Sequence, residues 1–218
     1  MRIGVLGGSF DPPHLGHLHV ARCARDELAL DEVRLIPAAI PPHKRARELA
    51  DGRHRLAMLA LVARGQPWLV VDPRELERGG PSYTFDTLAA LRAEGSPGDT
   101  LFFLIGSDSL VDLADWWRAP EVVELATFVT VPRDPASTDL GRAQVRARFA
   151  APAAERLLRH VLDAEMLPIS SSQIRARVRA GQPIVELVPA AVADYIERTG
   201  LYRNGERPRD GARGATPA

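Results

Sequence analysis

Two histidines three residues apart, His14 and His17, close a glycine-rich string that reads Gly7-Gly8-Ser9-Phe10-Asp11-Pro12-Pro13-His14-Leu15-Gly16-His17. Positions three apart share one face of a helix, so both imidazoles can donate to a single anion. Gly7 and Gly8 let backbone come close to a ligand and tolerate positive φ. A helix starting near His14 points its free N–H groups at the same place. Gly16 leaves room against that first turn. The string reads as a phosphate cradle. Three other readings compete with it. Glycines at 4, 7 and 8 miss the spacing G-x-G-x-x-G and could simply turn a strand into a helix. The histidines could hold a metal, though no third ligand is near in sequence. Or they could be incidental surface residues.

A second candidate lies near the far end, Ile169-Ser170-Ser171-Ser172-Gln173-Ile174-Arg175. Serines at a helix start, free N–H groups and one guanidinium can meet an anion. The competing reading is an ordinary serine cap with a solvated Arg. Between these lie three more groups. Pro41-Pro42-His43-Lys44 places a histidine and the chain's sole lysine after a rigid turn. Pro81-Ser82-Tyr83-Thr84 opens a helix whose N–H groups and hydroxyls suit a carboxylate. Gly106-Ser107-Asp108-Ser109-Leu110 offers a carboxylate to ribose hydroxyls, and Trp116-Trp117 offers an indole face to a planar ring. A tryptophan pair serves packing as readily as recognition.

The elements that must carry these groups follow from periodicity. Short apolar runs at 2–7, 33–37, 68–71, 101–105, 128–131 and 166–169 read as strands, and the continuous run 101–105 suits a sheet buried on both faces. Helical spacing covers 15–28, 53–64, 84–94, 172–180 and 190–198, with shorter or weaker stretches at 108–113, 121–125, 143–149 and 154–158. Gly200 suits a C-cap. Alternation of strand and helix predicts an α/β protein with a Rossmann-like doubly wound parallel sheet. Ligands of such sheets bind beyond the carboxyl ends of the strands, and the loops singled out above lie there. Residues 1–203 are expected to form one domain, with a helical part at about 170–200. The tail 204–218, rich in Arg, Gly and Pro, is expected to be disordered.

Composition narrows the classes. Of 218 residues, 45% are hydrophobic and 26% charged, which fits a folded soluble core. Lys+Arg and Asp+Glu both number 28, so no global basic field points to nucleic acid. Cys23 is the single cysteine, which excludes an intrachain disulfide. The N-terminal apolar stretch is too short for a signal sequence, and no run reaches the ~20 residues of a membrane helix. The expected compartment is the cytoplasm. Oligomeric state, homo-oligomer included, stays open.

The first string resembles the signature G-x-F-x-P-x-H-x-G-H of the nucleotidyltransferase superfamily, matched here from Gly8 to His17. The second resembles that superfamily's I-S-S-T-x-I-R, with Ser172 in place of Thr. Class I aminoacyl-tRNA synthetases share a related H-I-G-H, but this chain is far shorter and has no K-M-S-K-S. In the middle, the chain resembles the nicotinate-nucleotide adenylyltransferase family, which shows P-P-H-K, S-Y-T-x-x-T-L and G-x-D-x-L-x-x-L-x-x-W; the resemblance runs from about residue 2 to 203.

The resemblance implies transfer of AMP from ATP to nicotinate mononucleotide, giving the dinucleotide and pyrophosphate in NAD biosynthesis. His14, His17 and Arg175 would be the catalytic charge stabilisers. Gly7, Gly8, Ser9, Phe10, Gly16, Gly106, Asp108, Ser171, Ser172 and Ile174 would contact ATP. His43, Lys44, Tyr83, Thr84, Trp116, Trp117 and Arg133 would hold the acceptor. Mg²⁺ would arrive on the ATP phosphates, with no protein metal cage. The alternatives are another small nucleotidyltransferase, of the pantetheine-phosphate or cytidylyl type, or a non-catalytic nucleotide-binding protein on the same fold.

Overall fold

The computed structural model describes residues 1–41, 49–164 and 167–203. His43 and Lys44 lie outside the described residues, as do Met166 and the tail 204–218. Six parallel strands form one sheet: β1 (Arg2–Gly8), β2 (Glu32–Pro37), β3 (Leu69–Val71), β4 (Thr100–Gly106), β5 (Thr127–Val131) and β6 (His160–Val161). Their spatial order is β3-β2-β1-β4-β5-β6. The chain winds one way from β1 and the other way from β4, so the crossovers diverge between these two strands. That divergence opens a crevice at their carboxyl ends, where Gly7–Gly8 and Gly106 stand.

The helices are α1 (Leu15–Glu27), α2 (Gly52–Ala63), α3 (Arg74–Arg78), α4 (Thr84–Glu94), α5 (Ser107–Val111), α6 (Ala119–Leu125), α7 (Pro135–Arg148), α8 (Ala151–Leu158), α9 (Ser171–Arg179) and α10 (Ala190–Thr199), with a 3-10 turn at Leu113–Asp115. Local chemistry sets several ends. Asp51 caps α2 by accepting from the Arg53 N–H at 2.8 Å. Asp134 caps α7 ahead of Pro135, and Ser170 caps α9 by accepting from the Gln173 N–H. Gly200 ends α10 at φ 65, the left-handed C-cap that glycine allows.

Period-two alternation sorts the strand residues between two cores. Leu6, Leu35, Phe102, Leu104, Val129 and Val131 face α1, α2, α9 and α10. Ile3, Val5, Ile36, Leu101, Phe103, Ile105 and Phe128 face α4 to α8. Covering both faces is what lets β4 be apolar throughout. In β1, a Cβ on Gly4 would stand 2.7 Å from Leu30 Cδ1, so a larger residue there would have to displace the Leu30 side chain.

Two expectations are corrected. Among the described residues the last strand is His160–Val161, and the part of the expected strand that is described, 167–169, runs without strand pairing into α9. A two-residue edge strand carries no periodicity, and Pro168 has no N–H for a ladder. Helix α7 begins at Pro135, eight residues before the expected 143, because Asp134-Pro135 is a start signal that apolar spacing overlooks. Helix α3 was not foreseen at all; five residues are too few for a periodic pattern.

Candidate active site

The crevice at the β1/β4 divergence is a cleft of about 740 Å³. Its walls include Gly7, Gly8, Ser9, Phe10, His14, Gly16 and His17 from the first motif, and Ser171, Ser172 and Arg175 from the second. Thr84, Gly106, Asp108, Trp116 and Arg133 complete it. Chain segments about 160 residues apart thus meet in one cavity. The starts of α1, α4, α5 and α9 all open into it, so partial positive charge converges on the cleft.

Gly7 and Gly8 stay extended within β1 and do not use the positive φ they would tolerate. Phe10 takes the left-handed conformation instead, at φ 47. The glycines matter for space: nothing lies within 4 Å of a Cβ built on Gly7, so its absence keeps the strand end open to a ligand. Phe10 is buried and packs its ring 4.9 Å from that of His17.

His14 caps α1 with extended backbone and is only 7% exposed. Its N–H donates to His17 Nδ1 at 3.2 Å, and the two rings stack with centroids 3.7 Å apart. That bond places the neutral His17 proton on Nε2. Burial lowers the His14 pKa to about 4, helped by the nearby Arg133 charge. Burial, then the His14 and Arg133 charges, hold His17 well below the usual imidazole range. At neutral pH the pair is therefore uncharged and acts as N–H donors. A Cβ on Gly16 would stand 3.0 Å from His14 Nδ1, so the room Gly16 leaves is filled by the histidine ring itself.

Across the cleft, Arg175 Nη1 donates to the Asp11 carbonyl at 2.6 Å and Nη2 to Ser172 Oγ at 3.2 Å. Ser171 Oγ donates to the Pro12 carbonyl at 2.9 Å. The second motif is thus tied directly to the loop of the first. Ile174 is fully buried in the core, so its side chain anchors α9 and does not line the cleft. The Arg133 N–H donates to Ser107 Oγ, and its Nε lies 3.7 Å from Asp108 Oδ1. Both side chains are more than half exposed, and such a pair contributes at most about 1 kcal/mol. A ligand can therefore re-partner either group at little cost.

At the other end, Trp117 is 46% exposed and its ring lies 4.9 Å from that of Tyr83. Trp116 instead packs edge-on against Phe103 at 6.2 Å. Neither Tyr83 nor Trp117 is part of the cavity wall, whereas Trp116 and Thr84 are. Tyr83 precedes Thr84, the first residue of α4, so the helix N–H groups start there.

Four functional candidates escaped sequence reasoning. Glu75 of α3 lines the cleft, is buried, and accepts from Thr87 Oγ1 at 2.6 Å. Arg55 is 2% exposed and donates to the Ser9, Ala38 and Ala50 carbonyls, pinning the first-motif loop from below. Its signal was legible: Arg55, Met58, Leu59 and Val62 form the buried stripe of α2, and an Arg in such a stripe needs a reason. Asp11 and Tyr202, joined by a 2.6 Å hydrogen bond, are the others. Among the described residues no group of three or more His, Cys, Asp or Glu could hold a metal, and no helix is long and apolar enough to cross a membrane.

Paired neutral imidazoles, convergent helix starts and an arginine meet at the divergence of a parallel sheet, an arrangement suited to holding phosphates. The cytidylyltransferase-like family model matches residues 5–177. A "Probable nicotinate-nucleotide adenylyltransferase" of Aeromonas salmonicida is 46% identical, over 92% of this chain and 97% of that one. One of the same name from Geobacillus kaustophilus is 41% identical, over 96% and 90%. Among solved structures, the nicotinic acid mononucleotide adenylyltransferase of Plasmodium falciparum complexed with NaAD superposes with a TM-score of 0.70 at 20% identity, covering 92% of this chain and 97% of that one. The chain therefore belongs to the cytidylyltransferase-like family and, within it, to the nicotinate-nucleotide adenylyltransferases.

Proposed function

We propose that the protein transfers AMP from ATP to nicotinate mononucleotide, forming nicotinate adenine dinucleotide and pyrophosphate in NAD biosynthesis. The observation that carries this is the neutral His14–His17 pair on the first turn of α1, in one cleft with Arg175. A 5′-phosphate oxygen of the acceptor attacks the α-phosphorus of ATP. The bond to the bridging oxygen breaks, and pyrophosphate leaves with that electron pair. The attacking phosphate has a second pKa of about 6 and needs no general base at neutral pH. What remains is positioning and charge stabilisation. Neutral imidazoles give a donor without requiring a proton from solvent, and His17 Nε2–H is held ready by the His14 N–H behind it. Arg175 and the start of α9 face the leaving pyrophosphate.

Mg²⁺ would be carried by phosphate oxygens and water, which suits an ion that keeps its own shell and the lack of a carboxylate cage among the described residues. The acceptor's carboxylate would meet the N–H groups at the start of α4, with Trp117 beside the pyridine. Buried Glu75 is a negative charge in the same wall, with one oxygen already engaged by Thr87. It limits the preference for an anion without cancelling the helix donors. Cytoplasmic residence and the absence of nucleic-acid partners complete the reading; for the second, zero net charge leaves no global basic field. The test pairs an assay with a variant. ATP plus nicotinate mononucleotide should yield dinucleotide and pyrophosphate in equal amounts, and 4′-phosphopantetheine should yield neither. His17→Ala should fold and lose about 10²–10³ in kcat, as removal of a transition-state donor does; near-normal kcat would refute the role.

A further inference from the structure

The first-motif loop buries a carboxylate that the chemistry above leaves unused. Asp11 is 1% exposed. Its Oδ1 accepts from the Tyr202 hydroxyl at 2.6 Å and from the Ala50 N–H at 3.3 Å. Its Oδ2 is buried and has no hydrogen-bond partner among the described residues. The buried Arg55 guanidinium feels the Asp11 charge, and Arg175 Nη1 lies 3.6 Å from that oxygen. That same Nη1 donates to the Asp11 backbone carbonyl at 2.6 Å. The two groups form an ion pair without a hydrogen bond, although a buried carboxylate oxygen gains much from one. The other oxygen is held by two donors from elsewhere in the chain, and this keeps the carboxylate from turning onto the guanidinium.

Backbone geometry shows how firmly both ends are held. Tyr202 sits at φ 67 and Phe10, next to Asp11, at φ 47, a region that L side chains rarely adopt. Such conformations persist where the surroundings over-determine them. Leu201 is buried in the core beside α10, which brings the Tyr202 phenol under the loop. Burial first, then the Asp11 charge and hydrogen bond, raise the Tyr202 pKa, so the phenol stays a donor.

We propose that Tyr202 and Asp11 are positioning residues for the transfer: the Tyr202 hydroxyl holds the Asp11 carboxylate so that the Arg175 guanidinium stays turned toward the phosphates. This rests on the reading that Arg175 binds ATP phosphates. Without the hydroxyl, Asp11 swings toward its nearest cation and draws the guanidinium from the cleft. Substrate at the far end of the cleft should not feel the change.

Steady-state kinetics of full-length Tyr202→Phe, which keeps the ring and removes one oxygen, test this. KM for ATP should rise about five- to tenfold, the effect of weakening one charge-assisted contact, while KM for nicotinate mononucleotide stays unchanged. Asp11→Asn keeps an acceptor for Tyr202 and removes the charge that would draw Arg175 away, so adding Tyr202→Phe to it should no longer raise KM for ATP. In an Arg175→Ala background, Tyr202→Phe should add nothing. A Tyr202→Phe protein that melts lower but keeps wild-type KM for ATP would overturn the proposal and leave Tyr202 a structural lock. Full additivity with Arg175→Ala would overturn it as well. If Arg175→Ala alone leaves KM for ATP untouched, the reading of Arg175 itself has failed, a result distinct from the other two.

Discussion

The His14 and His17 rings stack with centroids 3.7 Å apart and an interplanar angle of 33°, and His17 Nδ1 accepts the His14 N–H. One residue thus supplies a ring to the cleft and, through its backbone, fixes the tautomer of the other. The arrangement works only while both are neutral, since a second charge at this distance would meet the first and Arg133 together.

Acid should therefore destabilise the protein. The folded His14 pKa, about 4, lies below the unfolded value of 6.5, and His17 shifts the same way. Between these values the unfolded chain binds protons that the folded chain does not. The stabilisation is complete above pH 6.5 and is lost as pH falls toward 4, amounting to about 3 kcal/mol for His14. Denaturant titrations at pH 7.5 and 5 should show the drop, and His14→Gln should reduce it. A wild type equally stable at both values would contradict the neutral pair.

Gly16→Ala should fold yet lose activity. The new Cβ would lie 3.0 Å from His14 Nδ1 and 3.1 Å from Cε1, so the ring must move. A misplacement of ~1 Å costs on the order of 10²-fold in rate, so the smaller shift required here should lower kcat about several-fold. The check is kcat beside a melting curve; wild-type kcat would show that the ring's place does not matter.

The tryptophans should separate. Trp117→Ala removes a half-exposed ring that touches Tyr83 and Phe85, and should lower the melting temperature less than Trp116→Ala does. Its KM for nicotinate and nicotinamide mononucleotides should rise together, because stacking does not sense the carboxylate. Trp116→Ala removes a ring packed on Phe103 and should cost about 2 kcal/mol of stability. Calorimetry of both variants, with acceptor KM, checks the assignment; the reverse pattern would exchange the roles.

Much of this was legible before any coordinates. The run Leu101–Ile105 carries its signal openly, because five residues are buried on both faces of the sheet; the leucines at 56 and 61 marked α2 as a helix but not its buried stripe of Arg55, Met58, Leu59 and Val62. His14, His17 and Arg175 were legible through motifs whose spacing is set by a strand end meeting a helix start. Asp11 stood inside the first motif with no role, because its partners, Tyr202 and Arg175, lie 191 and 164 residues away. No local pattern encodes such a meeting. Glu75 stayed hidden because α3 is one turn long, and β6 because two residues have no period. Ile174 was assigned with its motif, although its spacing from the helix start turns it into the core.

Truncation should mark the end of the fold sharply. Leu201 is buried and Tyr202 bonds Asp11, whereas 204–218 is polar and rich in Gly and Pro. Ending the chain after Arg203 should leave melting temperature and turnover nearly unchanged. Ending it after Gly200 should lower both, and equal behaviour of the two truncations would contradict the role given to these residues.

Acceptor choice tests the account most directly. The start of α4 offers N–H donors and a positive dipole end to a carboxylate, and a charge-assisted hydrogen bond is worth roughly 1.5–3 kcal/mol. Glu75, buried in the same wall, opposes this only with the oxygen that Thr87 leaves free. The measurement is kcat/KM for nicotinate and nicotinamide mononucleotides with ATP, by pyrophosphate release. The account predicts that the nicotinate substrate wins by at least about tenfold. Equal values, or a preference for the amide, would contradict it and point to Glu75 accepting the amide N–H in that wall.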